Sequence, residues 1–188
     1  MQNNLSLPSW KMKVKMNKLI KIACMLLSLC LLLTACIADE EEERGTQNLE
    51  VGEHIPPFSV VMDDGRVLTD KDLAGKVSLI AFFHTGCPDC RQELPVLQQI
   101  YEVYKERVNV VCISREQSES EIRSYWIEQG FTLPYSAQED RAVYHLFAMS
   151  SIPRIYITNE ASAIRYVFTD DPLAGYEVLV AAMKELGI

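Results

Sequence analysis

The sequence predicts an α/β fold in which a central mixed β-sheet is flanked by helices and preceded by a β-hairpin. Two continuous apolar runs, "VSLIAFF" and "VNVVCIS", have the composition of strands that are buried on both faces of a sheet. Segments with helical spacing of apolar residues lie between and after the strands, as expected for a layered domain. These patterns predict one folded domain at residues 51–188.

The first elements of this domain are short. The segment "PFSVVMDDGRVLT" predicts two strands joined by a turn at Asp64 and Gly65. The next segment, "DKDLAGK", predicts one helical turn with Thr69 as its cap. The apolar strand at residues 77–83 follows, and then "ELPVLQQIYEVYKE" predicts a helix that packs against this strand.

The second half of the domain continues the alternation. After "VNVVCIS", the amphipathic helix "ESEIRSYWIEQG" should end at Gly130, and its Tyr125 and Trp126 should cover the sheet. Cys112 lies within the apolar strand, so we expect it to be a buried apolar residue. The remaining segments predict a shorter helix, two strands and a terminal helix, in the order "DRAVYHLFAM", "RIYIT", "IRYVF" and "LAGYEVLVAAMKELG".

Residues 1–36 have the pattern of a secretory signal peptide, with lysines ahead of an apolar run at residues 22–35. The run ends in "LTAC", which resembles the lipobox of bacterial lipoproteins and predicts lipidation of Cys36. An uncleaved anchor at residues 19–38 is the alternative, because this stretch is about long enough to cross a bilayer. Both interpretations predict a location in the cell envelope, either periplasmic or facing the outer membrane or cell surface.

Residues 37–50 follow the signal and are predicted to form an acidic flexible tether, because like charges repel and little apolar surface is present. The net charge of -8 owes much to this segment. The lysines and arginines of the domain are scattered, which argues against nucleic acid as a partner.

The histidines do not predict a metal site. His54, His84 and His145 are scattered, and no second CxxC sequence accompanies "CPDC". His84 lies three residues before the first of these cysteines. We expect it to be a half-buried core histidine, and the alternative is that it tunes the cysteines.

Cys87 and Cys90 lie three residues apart where the buried strand is followed by a helix. Gly86 allows a tight turn, and Pro88 suits the first helical position. Asp89 is favourable in the first helical turn, so the helix should begin at Cys87. A helix N-terminus stabilises a thiolate. Cys87 should therefore be exposed and attack a disulfide, whereas Cys90 should be shielded and resolve the mixed disulfide.

The buried strand, "CPDC", a helix with Pro95 five residues after Cys90, and "SSIP" before a later strand together resemble the thioredoxin superfamily. The similarity is greatest to its TlpA/ResA-like, redoxin-related membrane-tethered reductases, because "VGEHIPPFSVVMDDGRVLT" is similar to their extra N-terminal hairpin. The resemblance implies a thioredoxin-like fold, a monomer, and no cofactor beyond a redox-active Cys87–Cys90 disulfide. It also implies three partners, namely protein disulfide substrates, a membrane thiol electron donor and the membrane that holds the lipid anchor.

The resemblance also assigns residues around the cysteines. It implies a cis peptide bond between Ile152 and Pro153 that faces the pair. The backbone of Ile152 should then offer strand-like hydrogen bonds to a substrate. Pro88 and Asp89, between the cysteines, are also expected to contact the substrate.

Some positions depart from the family pattern. Ala81 replaces the buried acid that many thioredoxins carry six residues before the first cysteine, and Gly86 replaces their usual tryptophan. Glu93 matches a glutamate common in the TlpA-like branch and is the candidate substitute for the acid. A solvated helix carboxylate is the alternative. The negative charge of Asp89 should oppose thiolate formation and favour a reducing role.

Other functions could use the same thiols. A thiol peroxidase needs a PxxxTxxC arrangement, but Thr85 lies two residues before Cys87 and the proline is missing. A non-catalytic copper- or haem-handling chaperone would use the thiols as ligands, and His145 is not obviously placed to complete such a site. A purely structural disulfide would enclose only two residues, which constrains the unfolded chain very little. The sequence therefore predicts an extracytoplasmic, membrane-tethered thiol-disulfide oxidoreductase that acts as a reductase.

Overall fold

A computed structural model describes residues 47–188, so the predicted signal, Cys36 and most of the predicted tether lie outside the described residues. The strands are β1 (Ser59–Val61), β2 (Val67–Thr69), β3 (Ser78–Phe83), β4 (Asn109–Ser114), β5 (Tyr135–Ser136), β6 (Arg154–Thr158) and β7 (Ile164–Phe168). The helices are α1 (Pro88–Tyr104), α2 (Glu119–Gln129), α3 (Ala142–His145) and α4 (Tyr176–Glu185), and Asp70–Leu73 forms a short 3-10 helix. None of these helices is long and apolar enough to span a bilayer.

The central sheet contains five strands in the order β5-β4-β3-β6-β7. The β3, β4 and β5 strands are parallel, whereas β6 is antiparallel to both β3 and β7. The β1 and β2 strands form a separate antiparallel hairpin. The predicted mixed sheet and N-terminal hairpin are therefore confirmed.

The β3 strand is buried along its whole length because both faces of the sheet are covered. Successive side chains of a strand point to opposite faces, so Phe82 and Phe83 face different layers. The ring of Phe82 lies 4.9 Å from that of Phe147, and the ring of Phe83 lies 5.1 Å from that of Trp126. Trp126 on α2 thus covers the sheet, as predicted, and its indole N–H donates to the carbonyl of Leu133 at 2.8 Å.

Strand direction brings three loops to one edge of the sheet. Because β3 and β4 are parallel, their carboxyl ends lie side by side, with Phe83 paired to Ser114. Because β6 is antiparallel to β3, its first residue, Arg154, pairs with Phe82 at the same edge. The loops at residues 84–87, 115–118 and 150–153 therefore meet at this edge, and the candidate site lies there.

Local signals explain most element boundaries. Gly130 ends α2 in the left-handed conformation with φ 70°, as the sequence predicts. The helix predicted over "DRAVYHLFAM" is only the single turn of α3, and the two-residue strand β5 was not predicted. Both differences arise because the segments are too short for periodicity to show their state.

The last residues assigned to the tether lie against the domain. The backbone N–H of Leu49 donates to the carbonyl of Phe147 at 2.8 Å. The backbone N–H of Met149 donates to the Asn48 side chain, also at 2.8 Å. Contacts with the domain therefore begin before residue 51.

Candidate active site

Cys87 is the N-cap of α1, and Pro88 is the first residue of this helix, as the sequence predicts. The thiol is half-buried, and its Sγ lies 3.6 Å from the carbonyl oxygen of Ile152. The backbone N–H of Cys87 donates to the carbonyl of His84 at 3.0 Å. This arrangement places a partly accessible thiol at the N-terminus of α1, which is the positive end of the helix dipole.

Cys90 lies one turn further along α1 and is fully buried. Burial raises the pKa of the Cys90 thiol, and the backbone of His84, followed by the positive charge of Arg115, offsets this effect in part. Both thiols are free in the structure. Their exposure differs in the predicted sense, because Cys87 is reachable from solvent and Cys90 is shielded.

The loop before the cysteines is held by two side chains. Gln117 accepts a hydrogen bond from the Thr85 backbone N–H at 3.0 Å and donates one to the Thr85 hydroxyl at 2.5 Å. Arg91 donates to the Thr85 carbonyl at 2.5 Å, and its guanidinium lies over the ring of Tyr125. Sequence reasoning did not identify Gln117 or Arg91. The role of Gln117 depends on the parallel pairing of β3 and β4, which brings this residue to the loop. Arg91 reaches the loop from α1.

The Thr85 contacts bear on the peroxidase alternative. Thr85 is buried, and its hydroxyl accepts a hydrogen bond from Gln117. The Thr85 hydroxyl therefore helps to hold the loop that precedes the cysteines.

Gly86 is required by its close approach to His84. The Nδ1 atom of His84 accepts a hydrogen bond from the Gly86 backbone N–H at 2.9 Å. A Cβ atom at Gly86 would lie 3.0 Å from this Nδ1 atom. A Cβ atom at position 86 would therefore require the imidazole to shift slightly. His84 is half-buried, as expected, but it lines the groove beside Cys87 rather than the core.

The loop before β6 is anchored by a polar network. The Ile152–Pro153 peptide bond is cis, and a second cis bond joins Asp171 to Pro172. Tyr144 donates to the carbonyl of Ser150 at 2.7 Å, and the buried Arg154 donates to the Ser150 hydroxyl at 2.8 Å. These bonds hold the segment that presents Ile152 to Cys87.

Glu93 lies on α1 one turn after Cys90 and is buried, with 3% of its surface exposed. Burial raises the pKa of this carboxyl to about 7, and the backbone N–H of Ala174 lowers it only in part. Among the described residues, Oε1 has no hydrogen-bond partner. The solvated alternative is therefore wrong, because the helix face that carries Glu93 packs inward.

A groove of about 360 Å³ opens beside Cys87. Its described lining consists of His84, Gly86, Cys87, Arg115, Ser151 and Ile152. Arg115 was not identified from the sequence. It follows the last residue of β4, and only the pairing of β4 with β3 shows that this position neighbours the cysteines.

The remaining residues predicted from the sequence differ in their burial. Pro88 is exposed and Asp89 is half-exposed in the first turn of α1. Cys112 is fully buried within β4, where burial raises the pKa of its thiol. Within residues 47–188, no group of three or more His, Cys, Asp or Glu side chains could hold a metal ion.

Comparisons with known proteins identify the family and the fold of the chain. Residues 51–167 match the AhpC/TSA family. The chain is 26% identical over 175 residues to a protein named thiol-disulfide oxidoreductase ResA from Oceanobacillus iheyensis, covering 88% of this chain and 91% of that protein.

Two solved structures share the thioredoxin-like fold. A thiol:disulfide interchange protein from Chlorobium tepidum superposes with a TM-score of 0.64 and 21% identity, covering 73% of this chain and 98% of that chain. The exposed lipoprotein thioredoxin of Streptococcus pneumoniae superposes with a TM-score of 0.61 and 18% identity, covering 70% of this chain and all of that chain (100%).

Proposed function

The chain belongs to the AhpC/TSA family, and from this membership and the unequal exposure of Cys87 and Cys90 we propose that it is a thiol-disulfide oxidoreductase. The observation that most directly supports this proposal is a half-buried thiol at a helix N-terminus, followed one helical turn later by a fully buried thiol. Disulfide exchange needs two neighbouring sulfurs that differ in access. The ResA relative, whose name describes this activity, supports the proposal.

In the first step the thiolate of Cys87 attacks one sulfur of a substrate disulfide. The substrate S–S bond breaks, a mixed disulfide forms, and the leaving sulfur takes a proton from solvent. The groove beside Cys87, with Ile152 on its wall, would receive the substrate chain. Pro88 and Asp89, in the first turn of α1, would also contact this chain. The reaction uses no cofactor beyond the two cysteines.

In the second step Cys90 loses its proton and attacks the Cys87 sulfur. The second substrate thiol is released, two electrons have moved to the substrate, and the protein holds a Cys87–Cys90 disulfide. Since burial raises the pKa of Cys90, this step needs a proton acceptor. We assign that role to Glu93, whose pKa near 7 lets it exchange protons at neutral pH.

The direction that we propose is reduction of substrate disulfides. A negative charge at Asp89, between the two cysteines, opposes thiolate formation. It therefore destabilises the reduced form relative to the disulfide, which makes the reduction potential more negative and favours a reducing role. A membrane dithiol donor would then restore the thiols after each cycle. The lipid anchor at Cys36 would keep the domain near this donor, on the outer side of the membrane.

The test is the equilibrium between the dithiol and the disulfide in the full chain, purified in detergent and held in glutathione or dithiothreitol buffers. Peptide mass spectrometry reads the redox state of Cys87 and Cys90. A reversible couple at about -250 mV or lower supports a reductase, whereas a value near about -120 mV makes the protein a disulfide donor. Absence of a reversible couple overturns the oxidoreductase proposal.

A trapping experiment separates the two cysteines. The Cys90→Ser variant should accumulate a mixed disulfide with a protein substrate, because the resolving thiol is gone. The matched Cys87→Ser variant should trap almost none, because its remaining thiol is buried. Equal trapping by both variants contradicts the assigned roles.

The anchor is tested separately. A Cys36→Ala variant should move from the membrane to the soluble fraction of the cell envelope if lipid on Cys36 holds the protein. Retention at the membrane supports the uncleaved anchor instead.

A further inference from the structure

The groove beside Cys87 carries one permanent positive charge, that of Arg115. The Arg115 side chain is 23% exposed, so most of it is held by the protein while part faces solvent. None of the described residues that line the groove is a carboxylate. The groove therefore presents a cation within reach of a chain that approaches the Cys87 sulfur.

The neighbouring carboxylate of Glu116 forms only a long ion pair with Arg115. The distance from Arg115 Nη2 to Glu116 Oε1 is 3.7 Å, which is longer than a hydrogen bond. The same Oε1 atom already accepts a short hydrogen bond from Arg141. Within the described part of the chain, the buried Nε of Arg115 has no hydrogen-bond partner. Because Nε is buried, the terminal Nη atoms of Arg115 are the donors that remain for a ligand.

His84 adds a second donor to the same groove. Its Nδ1 atom accepts a hydrogen bond from the Gly86 N–H, so the neutral imidazole carries its proton on Nε2. The groove lining therefore includes both the arginine and the histidine. This combination is suited to a carboxylate, because a carboxylate accepts several hydrogen bonds and prefers the planar guanidinium.

We propose that Arg115 is a specificity-determining residue, which binds an acidic side chain next to the cysteine of the substrate disulfide. The inference rests on the proposed function and names its substrate class, namely disulfides with a neighbouring aspartate or glutamate. While the mixed disulfide exists, the substrate cysteine is bonded to Cys87. The substrate residue next to that cysteine then lies over the groove. The substrate carboxylate then replaces water at Arg115.

The experiment uses the full chain in detergent and two disulfide peptides that differ only in a Glu or Gln beside the cysteine. Reduced wild-type protein should reduce the Glu peptide about threefold to fivefold faster, which is the scale of one partly exposed ion pair. Arg115→Gln should bring this ratio close to one. Arg165→Gln on β7, an exposed arginine away from the groove, changes the net charge equally and should keep the wild-type ratio.

A second measurement does not depend on disulfide exchange. The rates at which anionic iodoacetate and neutral iodoacetamide modify Cys87 are compared by peptide mass spectrometry. Arg115→Gln should lower the iodoacetate-to-iodoacetamide ratio by about the same factor, whereas Arg165→Gln should not. A general change in thiol reactivity alters both rates and cancels in the ratio.

The two measurements distinguish the possible failures. If neither ratio changes in Arg115→Gln, the inference about Arg115 is overturned. If wild-type protein reduces neither peptide but the alkylation ratio falls in the variant, the proposed function fails and the anion preference of the groove stands. A wild-type preference for the Gln peptide also overturns the inference.

Discussion

The Sγ atom of Cys87 lies 3.6 Å from the carbonyl oxygen of Ile152, although 65 positions separate the two residues in the chain. The contact joins the N-terminus of α1 to the loop before β6. Those two segments meet because β6 runs antiparallel to β3 at the edge where β3 ends. The loop that carries Ile152 therefore lies beside the Cys87 sulfur.

The two thiols should differ in reactivity. Iodoacetamide should modify Cys87 at least about tenfold faster than Cys90, because Cys90 is fully buried and burial raises the pKa of its thiol. Timed peptide mass spectrometry on the reduced protein measures both rates. In guanidinium chloride the two rates should become similar, which serves as the control. Equal rates in the folded protein contradict the assignment of an attacking and a resolving thiol.

Glu93→Gln should change how stability depends on pH. The Glu93 pKa rises from 4.5 to about 7 on folding. Such a group contributes stability that is complete below its unfolded pKa and is lost as the pH rises through the folded value. Between about pH 4.5 and pH 7, the free energy of unfolding of wild-type protein should fall by up to about 3 kcal/mol more than that of Glu93→Gln.

Urea denaturation across this pH range measures the difference. The control is Glu128→Gln, which removes an exposed carboxyl from α2 and should keep the wild-type pH dependence. Parallel curves for wild-type protein and Glu93→Gln would show that Glu93 does not titrate in this window.

Gln117→Ala should destabilise the domain by about 1–3 kcal/mol, because the buried Thr85 N–H loses its acceptor. It should also change the alkylation rate of Cys87, since Thr85 lies two residues before this cysteine. Gln129→Ala, at the exposed end of α2, is the matched control and should change stability by less than about 0.5 kcal/mol. Similar small effects in both variants would show that the Gln117 contacts do not hold the loop.

Gly86→Ala should cost about 1 kcal/mol, because the new Cβ approaches the His84 imidazole to 3.0 Å. The same substitution in a His84→Ala background should cost less, since the crowding atoms are gone. A double-mutant cycle on the free energy of unfolding measures this coupling. If the costs of Gly86→Ala and His84→Ala are additive, crowding by His84 is not the reason that position 86 needs a glycine.

Asp89→Asn should make the reduction potential of the Cys87/Cys90 couple less negative by about 10–20 mV, because the reduced form loses a repulsive charge next to its thiolate. The expected change in the reduction potential is small because Asp89 is partly exposed to solvent. Glu106→Gln, exposed beyond the far end of α1, changes the net charge equally and should leave the potential unchanged. A more negative potential in Asp89→Asn would reverse the role that we assign to this charge.

Much of the fold could be predicted because its signals are local. The buried strand β3, the start of α1 at Cys87 and the end of α2 at Gly130 each depend on a few neighbouring residues. The two-residue strand β5 could not be predicted, because it exists only by pairing with β4. The length of α3 was overestimated because the helix ends at His145, and only turn-type hydrogen bonds, such as that from Phe147 to Tyr144, continue beyond it.

The sequence by itself determined the chemistry of the centre. The order Gly86, Cys87, Pro88 and Cys90 starts a helix on a thiol and places the second thiol one turn later, through backbone preferences alone. Only the tertiary structure decided what surrounds these thiols. Burial of Glu93 depends on α1 packing against α4, and the approach of Arg115 depends on strand pairing. Both effects arise between segments distant in the chain, where local preference carries no information about proximity.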